Sequence, residues 1–320
     1  MTKDSSHELT SLYINMTCNG SIKIDRDILI FELISSSLVS FFGIILNTTA
    51  LWVFCFKLGK LTETRIYMIS LAVADLMLAL TLPFKMYFHS YNWPVDLFCR
   101  IIFSLYCMNM PMSINTITLI ALDRYIAIKY PLKAKVIRSP RNAVIVCLIF
   151  WLCCFLFTML QLYGTEGKEG ICFYEISTKH YPVIPIKFTI FFFIPLVILL
   201  LCSTQVIRRL KKKQNTTLQE EKLTQKAICL VSMNLVIFII CFLPFHLSLL
   251  SKYLVDAAEC ERRSTINKTL HATSVMANLN CCLDAICYYL VAKEFQQAAG
   301  HLPPFKLMQS KSNLTEDSQL

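Results

Sequence analysis

The chain has 320 residues, of which 55% are hydrophobic and only 16% are charged, and its formal net charge is +10. A soluble domain of this size carries about a quarter charged residues, so the composition excludes an ordinary soluble enzyme and predicts a membrane protein. The positive charge is concentrated in short clusters between apolar runs, which indicates membrane topology and argues against nucleic acid as a partner.

The first 27 residues are polar and lack the basic start, short apolar stretch and cleavage site of a signal peptide. We therefore expect an N-terminal tail at residues 1–27 that the first apolar run carries across the membrane. Asn15 and Asn19 lie in glycosylation sequons on this tail, and Asn267 is a third candidate near the membrane.

Seven apolar runs follow, each as long as a membrane span of about 18 residues or more. They lie at residues 28–56, 66–88, 101–128, 143–162, 184–201, 227–250 and 270–291. The sequence thus predicts an all-α membrane protein, with a seven-transmembrane helix bundle as one domain at residues 28–297. The weakly amphipathic segment 293–299 predicts a short helix on the membrane surface, and residues 298–320 predict a cytoplasmic tail.

The loops between the runs differ in charge. Residues 129–141 hold five basic residues and no acidic one, and residues 208–226 hold seven basic residues against two glutamates. Short basic loops mark the cytoplasmic side of a membrane. We therefore expect a multi-pass protein of the plasma membrane, with its N-terminus extracellular and membrane lipid around its spans.

Of the 15 cysteines, four fall in extracellular positions on this topology: Cys18, Cys99, Cys172 and Cys260. Four exported cysteines allow three connectivities. Cys99 begins the third span and Cys172 lies in the loop after the fourth, so these two can meet over the bundle. Cys18 and Cys260 would then join the tail to the last outer loop, with an unpaired Cys18 as the alternative.

Charged groups at membrane depth are costly and are candidates for function. Asp75 lies in the second run and Asp284 in the seventh, while Ser113 and Asn280 offer neutral oxygens. Two carboxylates with neutral oxygen ligands could bind a small cation such as an allosteric sodium ion. A structural hydrogen-bond network is the alternative, and no cofactor is required.

A charged triplet, Asp123-Arg124-Tyr125, ends the third run about one membrane crossing after Cys99. Asp123 could hold Arg124 in a local ion pair, and breaking the pair would free the arginine to meet a partner. Pro195 and Pro244 interrupt the fifth and sixth runs, and proline kinks a helix because it lacks an N–H donor. A kinked sixth helix can swing its inner end.

Taken together, these residues resemble the signature of rhodopsin-like G-protein-coupled receptors, in the purinoceptor-like and lysolipid branch. The matching positions are Asn47, residues 71–75, Cys99, residues 123–125, Trp151, Pro195, residues 241–244 and residues 284–288. Two departures stand out: Phe242 replaces the family's tryptophan before the sixth-helix proline, and Ala285 replaces the seventh-helix proline.

The resemblance implies a receptor that activates heterotrimeric G proteins and is not an enzyme. It implies the inhibitory and twelve/thirteen G-protein classes as partners, contacted by Asp123, Arg124, Tyr125 and Leu132, and arrestin at the serines and threonines of the C-terminal tail. It also implies an activation switch that consists of Ile114, Pro195, Phe238, Phe242, Pro244 and Tyr288.

Other functions fit less well. A transporter often shows an inverted internal repeat and an enzyme needs a catalytic or metal cluster, and neither is visible. A retinal protein needs a lysine in the seventh run, which has none. Tyr106 stands where amine receptors of this family have an aspartate. A peptide or chemokine ligand remains open.

Basic residues near the outer ends of the runs favour an anionic, partly apolar ligand, either a lysophospholipid or a small aromatic acid. Lys85 is the leading candidate, and Lys252 is the next. The other cations are Arg100, Lys187, Arg262, Arg263, Lys268 and His271, and the apolar lining is Tyr87, Phe103, Tyr106, Phe245, His246 and Leu249. Each cation alone could instead extend to the membrane interface, as lysines at span ends do, and Lys187 fits this alternative best.

Overall fold

The computed structural model describes residues 26–57, 61–130, 132, 134, 138–163, 172–173, 189–212, 218–254 and 260–291, and all regular elements in these ranges are helices. Seven consecutive helical units result. α1 comprises Arg26–Trp52 and the π-helical turn Val53–Lys57, α2 is Glu63–Ser90, α3 is Leu97–Lys129 and α4 is Pro140–Tyr163. α5 comprises the π-helical turn Thr189–Phe193 and Ile194–Lys212. α6 comprises Leu218–Ile237, the π-helical turn Phe238–Phe242 and Leu243–Leu254, and α7 comprises Cys260–Asn278 and Asn280–Val291.

The predicted all-α bundle is confirmed, with differences at the helix ends. Within the described ranges, six helices, α1 to α6, are long and apolar enough to cross a membrane. The seventh run is covered by the two parts of α7, which meet at Leu279. α6 begins at Leu218 and α7 at Cys260, both before the apolar runs start, because a helix satisfies its own backbone beyond the membrane as well as within it. The predicted N-terminal tail overlaps α1 at residues 26 and 27. Residues 1–25, residues 293–299 and the C-terminal tail lie outside the described residues.

Local caps determine where two of the helices begin. The Thr62 side chain accepts a hydrogen bond from the Arg65 N–H at 3.4 Å, and Asp96 accepts one from the Cys99 N–H at 2.7 Å. Such residues satisfy backbone donors that a first helical turn leaves without partners. The turn between α2 and α3 includes Asn92 at φ 47°, a left-handed conformation that asparagine tolerates better than most residues.

Polar side chains join the helices inside the bundle. Ser40 donates to the Ala79 carbonyl at 2.8 Å, and Trp151 donates to the Ser70 hydroxyl at 3.1 Å, so α1 and α4 are both tied to α2. Asn47 donates to the Cys281 carbonyl at 2.8 Å, which joins α1 to α7. The outer surface is apolar, as a lipid environment requires: Leu148 is 63% exposed.

Each of the two prolines that the sequence singles out follows a π-helical turn. Pro195 comes just after the turn Thr189–Phe193, and Pro244 comes just after the turn Phe238–Phe242. A proline ring clashes with the carbonyl four residues earlier and leaves that carbonyl without its helical donor. A wider π-helical turn accommodates both effects, so the irregular backbone lies at the start of the described part of α5 and within α6.

At Gly43, α1 lies very close to both α2 and α7. A Cβ atom at this position would lie 3.0 Å from the Ala79 Cβ and 3.1 Å from the Cys281 Sγ. Both distances are below ordinary van der Waals contact, so a side chain here would push the helices apart. Small residues permit such close approach between membrane helices.

Gly43→Val is expected to lower the free energy of unfolding by about 1–3 kcal/mol, the usual cost of overpacking. The measurement is the thermal unfolding midpoint of the purified protein in detergent. Thr48→Val is the control, because Thr48 is exposed on the same helix and the new side chain would contact only lipid. Equal midpoints for Gly43→Val and the unmodified protein would contradict the close packing.

Candidate functional site

At one end of the bundle, a disulfide joins Cys99, in the first turn of α3, to Cys172. Their Cα atoms are 5.9 Å apart, and the Cys172 N–H donates to the Trp93 carbonyl at 2.8 Å. The structure therefore contains the first of the two bridges that the sequence predicts, and we call this end the disulfide end. Cys18 and the side chain of Cys260 lie outside the described residues, so their pairing stays a prediction.

Next to the disulfide, the Phe173 ring packs against aromatic rings of α2 and α3. Its ring centroid lies 5.1 Å from that of Phe103, 5.5 Å from that of Tyr106 and 6.3 Å from that of Phe88. Phe173 has φ 71°, a strained backbone conformation for a bulky residue, so these contacts and the disulfide must stabilise it. Phe103, Tyr106 and Phe173 form what we call the aromatic cluster.

Lys85 lies between the aromatic cluster and α1. Its ammonium is 2.5 Å from Oε1 of Glu32 and 5.1 Å from the ring centroid of Tyr106. The second Glu32 oxygen is 3.2 Å from Nδ1 of His271 on α7. The Tyr106 hydroxyl reaches α7 as well, at 3.2 Å from the Ser274 hydroxyl. The leading candidate for an anion-binding residue is therefore inside the bundle and already contacts a carboxylate.

The remaining predicted cations that the structure describes lie near the ends of α3, α6 and α7. Arg100 and Lys252 are partly buried, in the first turn of α3 and near the end of α6. Arg262 and Lys268 are exposed on the first turns of α7. The side chain of Arg263 and the whole of Lys187 lie outside the described residues.

The predicted apolar lining divides into two groups. Tyr87 is 47% exposed and packs on Tyr91, with ring centroids 4.7 Å apart. His246 is buried: its ring stacks on Phe192 at 3.9 Å, and its Nδ1 lies 2.8 Å from the Phe242 carbonyl. The Phe245 ring meets His246 edge-on at 5.5 Å. His246 therefore packs against α5, and Phe245 packs against His246.

The residues of the predicted sodium site come from α2, α3 and α7. Oδ1 of Asp75 accepts from the Asn109 amide at 3.2 Å and from the Ser113 hydroxyl at 3.5 Å. On α7, the Asn280 amide donates to Asp284 at 2.9 Å. All of these side chains are buried. Among the described residues, no three His, Cys, Asp or Glu side chains form a metal-binding group.

Several buried oxygen atoms at this level have no hydrogen-bond partner among the described residues. They are Oδ2 of Asp75, Oδ1 of Asn280 and the hydroxyl of Tyr288. A buried polar atom without a partner is energetically costly, and oxygen atoms are the ligands that small hard cations prefer. The donor set thus fits a sodium ion.

The predicted switch residues lie in one packed column. Ile114, Phe238, Phe242 and Tyr288 are each 3% exposed or less. Phe238 packs on Phe192 with ring centroids 5.7 Å apart and on Phe242 at 5.6 Å. Tyr288 packs on Phe54 of α1 at 5.3 Å. Phe242 therefore occupies the place of the family's tryptophan as a fully buried ring.

At the other end of the bundle, which we call the Arg124 end, Asp123 contacts two arginines. Arg124 lies 3.4 Å from Oδ2 of Asp123, so the local pair that the sequence predicts is formed. Arg138, from the segment before α4, is closer: its Nε is 2.7 Å from Oδ1 and its Nη2 is 3.2 Å from Oδ2. Nη2 of Arg138 also lies 3.3 Å from Glu63 at the start of α2, and Thr64 donates to Asp123 at 2.9 Å.

Arg138 is thus the main partner of Asp123, and its fork geometry favours this pairing. Burial opposes the charge of Arg138, but the hydrogen bond and the charge of Asp123 raise the pKa of the guanidinium above its usual value. Tyr125 contacts Lys129 one turn later, and Leu132 is 80% exposed. Leu132 is therefore accessible for contact with a partner.

The charged and amide residues of these networks that were not identified from the sequence are Glu32, Glu63, Asn109 and Arg138. Glu32 could have been identified from the sequence, because a charged residue within an apolar run is a candidate for function. Glu63 and Arg138 lie at helix ends, where charges are common and carry no such signal. Their partners come from elements 15 to 75 residues away in the chain, so only the tertiary structure brings them together.

Comparisons with known proteins agree with this arrangement. The sequence profile of the family described as 7 transmembrane receptor (rhodopsin family) matches residues 46–288. The chain is 38% identical to G-protein coupled receptor 35 of Mus musculus over 285 residues, which are 88% of this chain and 92% of the relative. It is 35% identical to G-protein coupled receptor 55 of Mus musculus, over 82% of this chain and 86% of the relative. Lysophosphatidic acid receptor 6 of Mus musculus is 34% identical, over 82% and 80%.

These relatives are receptors and not enzymes, which confirms the expectation from the sequence. In the sequence, residues 50–55, 62–68 and 280–289 resemble receptor 35, and residues 82–86 resemble receptor 55. The identities of 38% and 35% over most of the chain agree with this resemblance. The chain belongs to the rhodopsin family of seven-transmembrane, G-protein-coupled receptors, in the branch that includes receptors 35 and 55 and the lysophosphatidic acid receptors.

Proposed function

We propose that this receptor binds an anionic, partly apolar ligand at the disulfide end and activates heterotrimeric G proteins at the Arg124 end. The observation that carries the proposal is the position of Lys85: a cation inside the bundle, 5.1 Å from the Tyr106 ring centroid and next to the aromatic cluster. A phosphate or carboxylate can pair with Lys85 while an acyl chain or aromatic group packs on the rings. The name of the relative lysophosphatidic acid receptor 6 supports a lysophospholipid.

The orientation that goes with this function has the disulfide end outside the cell and the N-terminus extracellular. The basic residues of the opposite loops support it. Asn267 is a poor glycan acceptor, because its side chain is partly buried within α7. Asn15 and Asn19, the other two acceptors, lie outside the described residues.

A peptide ligand is the second candidate. Arg262 and Lys268 are exposed on the first turns of α7, where an acidic peptide could contact them without entering the bundle. The two candidates differ in which cations they use, so substitution of the inner cations distinguishes them.

Lys85→Gln is expected to reduce the potency of lysophosphatidic acid by about tenfold or more, because a charge-assisted hydrogen bond of about 1.5–3 kcal/mol is lost. Lys252→Gln should have a smaller effect. The measurement is agonist-stimulated nucleotide exchange at equal surface expression. Arg141→Gln, at an exposed cation of the Arg124 end, is the matched control. Unchanged potency in both inner variants would contradict the role of Lys85 and Lys252 and would leave the exposed cations of α7 as the binding site.

Signal transfer to the G protein is expected to use the packed column between the two ends. Agonist binding shifts a pre-existing equilibrium toward a state in which the inner end of α6 moves outward, with the π-helical turn before Pro244 as the deformable point. Arg124 then faces the G protein, and Leu132 packs into it. The inhibitory and twelve/thirteen classes are the proposed partners, and arrestin would bind the phosphorylated tail.

Arg138→Gln is expected to lower ligand-independent nucleotide exchange about two- to fivefold. Arg138 competes with Arg124 for Asp123, so its loss strengthens the local pair by about 0.5–1 kcal/mol, as for a partly exposed ion pair. Arg124→Ala should abolish exchange and leave ligand binding intact. Arg141→Gln, at an exposed cation on the first turn of α4, is the control. Higher basal exchange in Arg138→Gln would contradict the competition.

We also propose that sodium binds among Asp75, Ser113, Asn280 and Asp284. The ion would satisfy the oxygen atoms of Asp75 and Asn280 that lack partners, and Asp75 would supply the negative charge. Ligands of this kind stabilise the state that binds them.

Sodium at ten times its dissociation constant is expected to stabilise the receptor by about 1.4 kcal/mol. The measurement is the thermal unfolding midpoint in sodium chloride against choline chloride at equal ionic strength. Asp75→Asn should abolish the difference, and Asp96→Asn, at the disulfide end, should retain it. An undiminished sodium effect in Asp75→Asn would refute the site.

A further inference from the structure

Glu32 is a carboxylate inside the bundle. It lies on α1, its side chain is 11% exposed, and its two oxygens contact two other helices: Oε1 meets Lys85 of α2 and Oε2 meets His271 of α7. A buried charge is retained only if it is paired. Glu32 therefore depends on Lys85, the same cation that the proposed ligand needs.

Lys85 has limited capacity for a second anion. Its side chain is 16% exposed. Its ammonium already lies 2.5 Å from Oε1 of Glu32 and 5.1 Å from the ring centroid of Tyr106. An incoming acid must approach from the side of the aromatic cluster and share or replace the carboxylate. Two carboxylates held against one cation repel each other.

We propose that Glu32 is a built-in competitor for the anionic group of the ligand, and that it makes the receptor select phosphate monoesters over carboxylates. The inference rests on the proposed function and specifies its substrate class. A phosphate monoester carries a charge of about −1.5 to −2, so it competes for Lys85 more strongly than a carboxylate with a charge of −1 does.

His271 makes the exchange feasible. When Lys85 turns to the ligand, Glu32 retains the His271 ring, whose Nδ1 lies 3.2 Å from Oε2. A neutral imidazole with a proton on Nδ1 can donate this hydrogen bond. The glutamate is thus never left buried without a partner, and the cost of displacement stays small enough for a ligand to meet.

Glu32→Gln is the test, because it keeps the size and an acceptor oxygen but removes the competing charge. The probes share one acyl chain: oleoyl lysophosphatidic acid, oleic acid and neutral oleoylglycerol, with binding to the purified full-length receptor in nanodiscs. We expect the affinity for oleic acid to rise about tenfold or more, because the fraction of receptor with Lys85 available increases. The gain for lysophosphatidic acid should be smaller, and oleoylglycerol should show none.

Asp27→Asn is the matched control, since it removes an exposed carboxylate from the first turn of the same helix. In the Lys85→Gln background, Glu32→Gln should produce no gain. Anion affinity that depends on Lys85 but is unchanged or reduced in Glu32→Gln would overturn the competition and leave the proposed function standing. Anion binding that is unaffected by Lys85→Gln would overturn both.

Unfolding measurements without ligand distinguish loss of the Glu32–Lys85 pair from misfolding of a variant. The thermal unfolding midpoints of Glu32→Gln, Lys85→Gln and the double variant form a double-mutant cycle. The double variant should be more stable than the sum of the single effects predicts, because neither charge is left without its partner. Additive effects would show that the two residues do not pair, and this result would overturn the inference whatever the ligand is.

Discussion

Every carboxylate that this receptor buries must be paired within the bundle, because lipid offers no water to solvate a charge. The backbone groups need no partners from other helices, since each helix satisfies its own donors and acceptors. The packing of the helices therefore depends on a few side-chain pairings: Glu32 with Lys85, Asp75 with Asn109, and Asp123 with Arg138. Each pairing joins different elements of the chain. Loss of one partner leaves a charged or polar group uncompensated, which costs more than the loss of an ordinary contact.

The two ends of the receptor repeat one arrangement. A carboxylate lies between two basic side chains: Glu32 between Lys85 and His271, and Asp123 between Arg124 and Arg138. A carboxylate with two such partners can exchange one for the other without becoming an isolated buried charge. Such an exchange is a low-cost way to move between two states of similar energy. Between the ends lies a column of buried rings, where a displacement at one level must be accommodated by the next because protein interiors are close-packed.

Much of the fold could be predicted because its determinants are local. Apolar runs, basic loops and the Asp123-Arg124-Tyr125 triplet each act over a few consecutive residues, and they identified the seven-helix bundle and its family. The ends of α6 and α7 were predicted less well, since hydropathy marks where lipid begins and not where a helix begins. The division of α7 at Leu279 also had no signal in the apolar pattern, and Ala285 removes the proline that would have suggested an irregularity.

The sequence by itself determined that this is a membrane receptor of the rhodopsin family and which charged residues lie at membrane depth. Tertiary structure alone decided their partners. Lys85 could be selected from its place near the end of a span, but its contact with Glu32 joins residues 53 positions apart, and Oε2 of Glu32 meets His271 across 239 positions. The pairing of Asp123 with Arg138 likewise depends on the position of Arg138, just before α4, relative to the end of α3. A charge chooses its partner by distance in space, and distance in space follows from the packing of all seven helices and not from the order of residues along the chain.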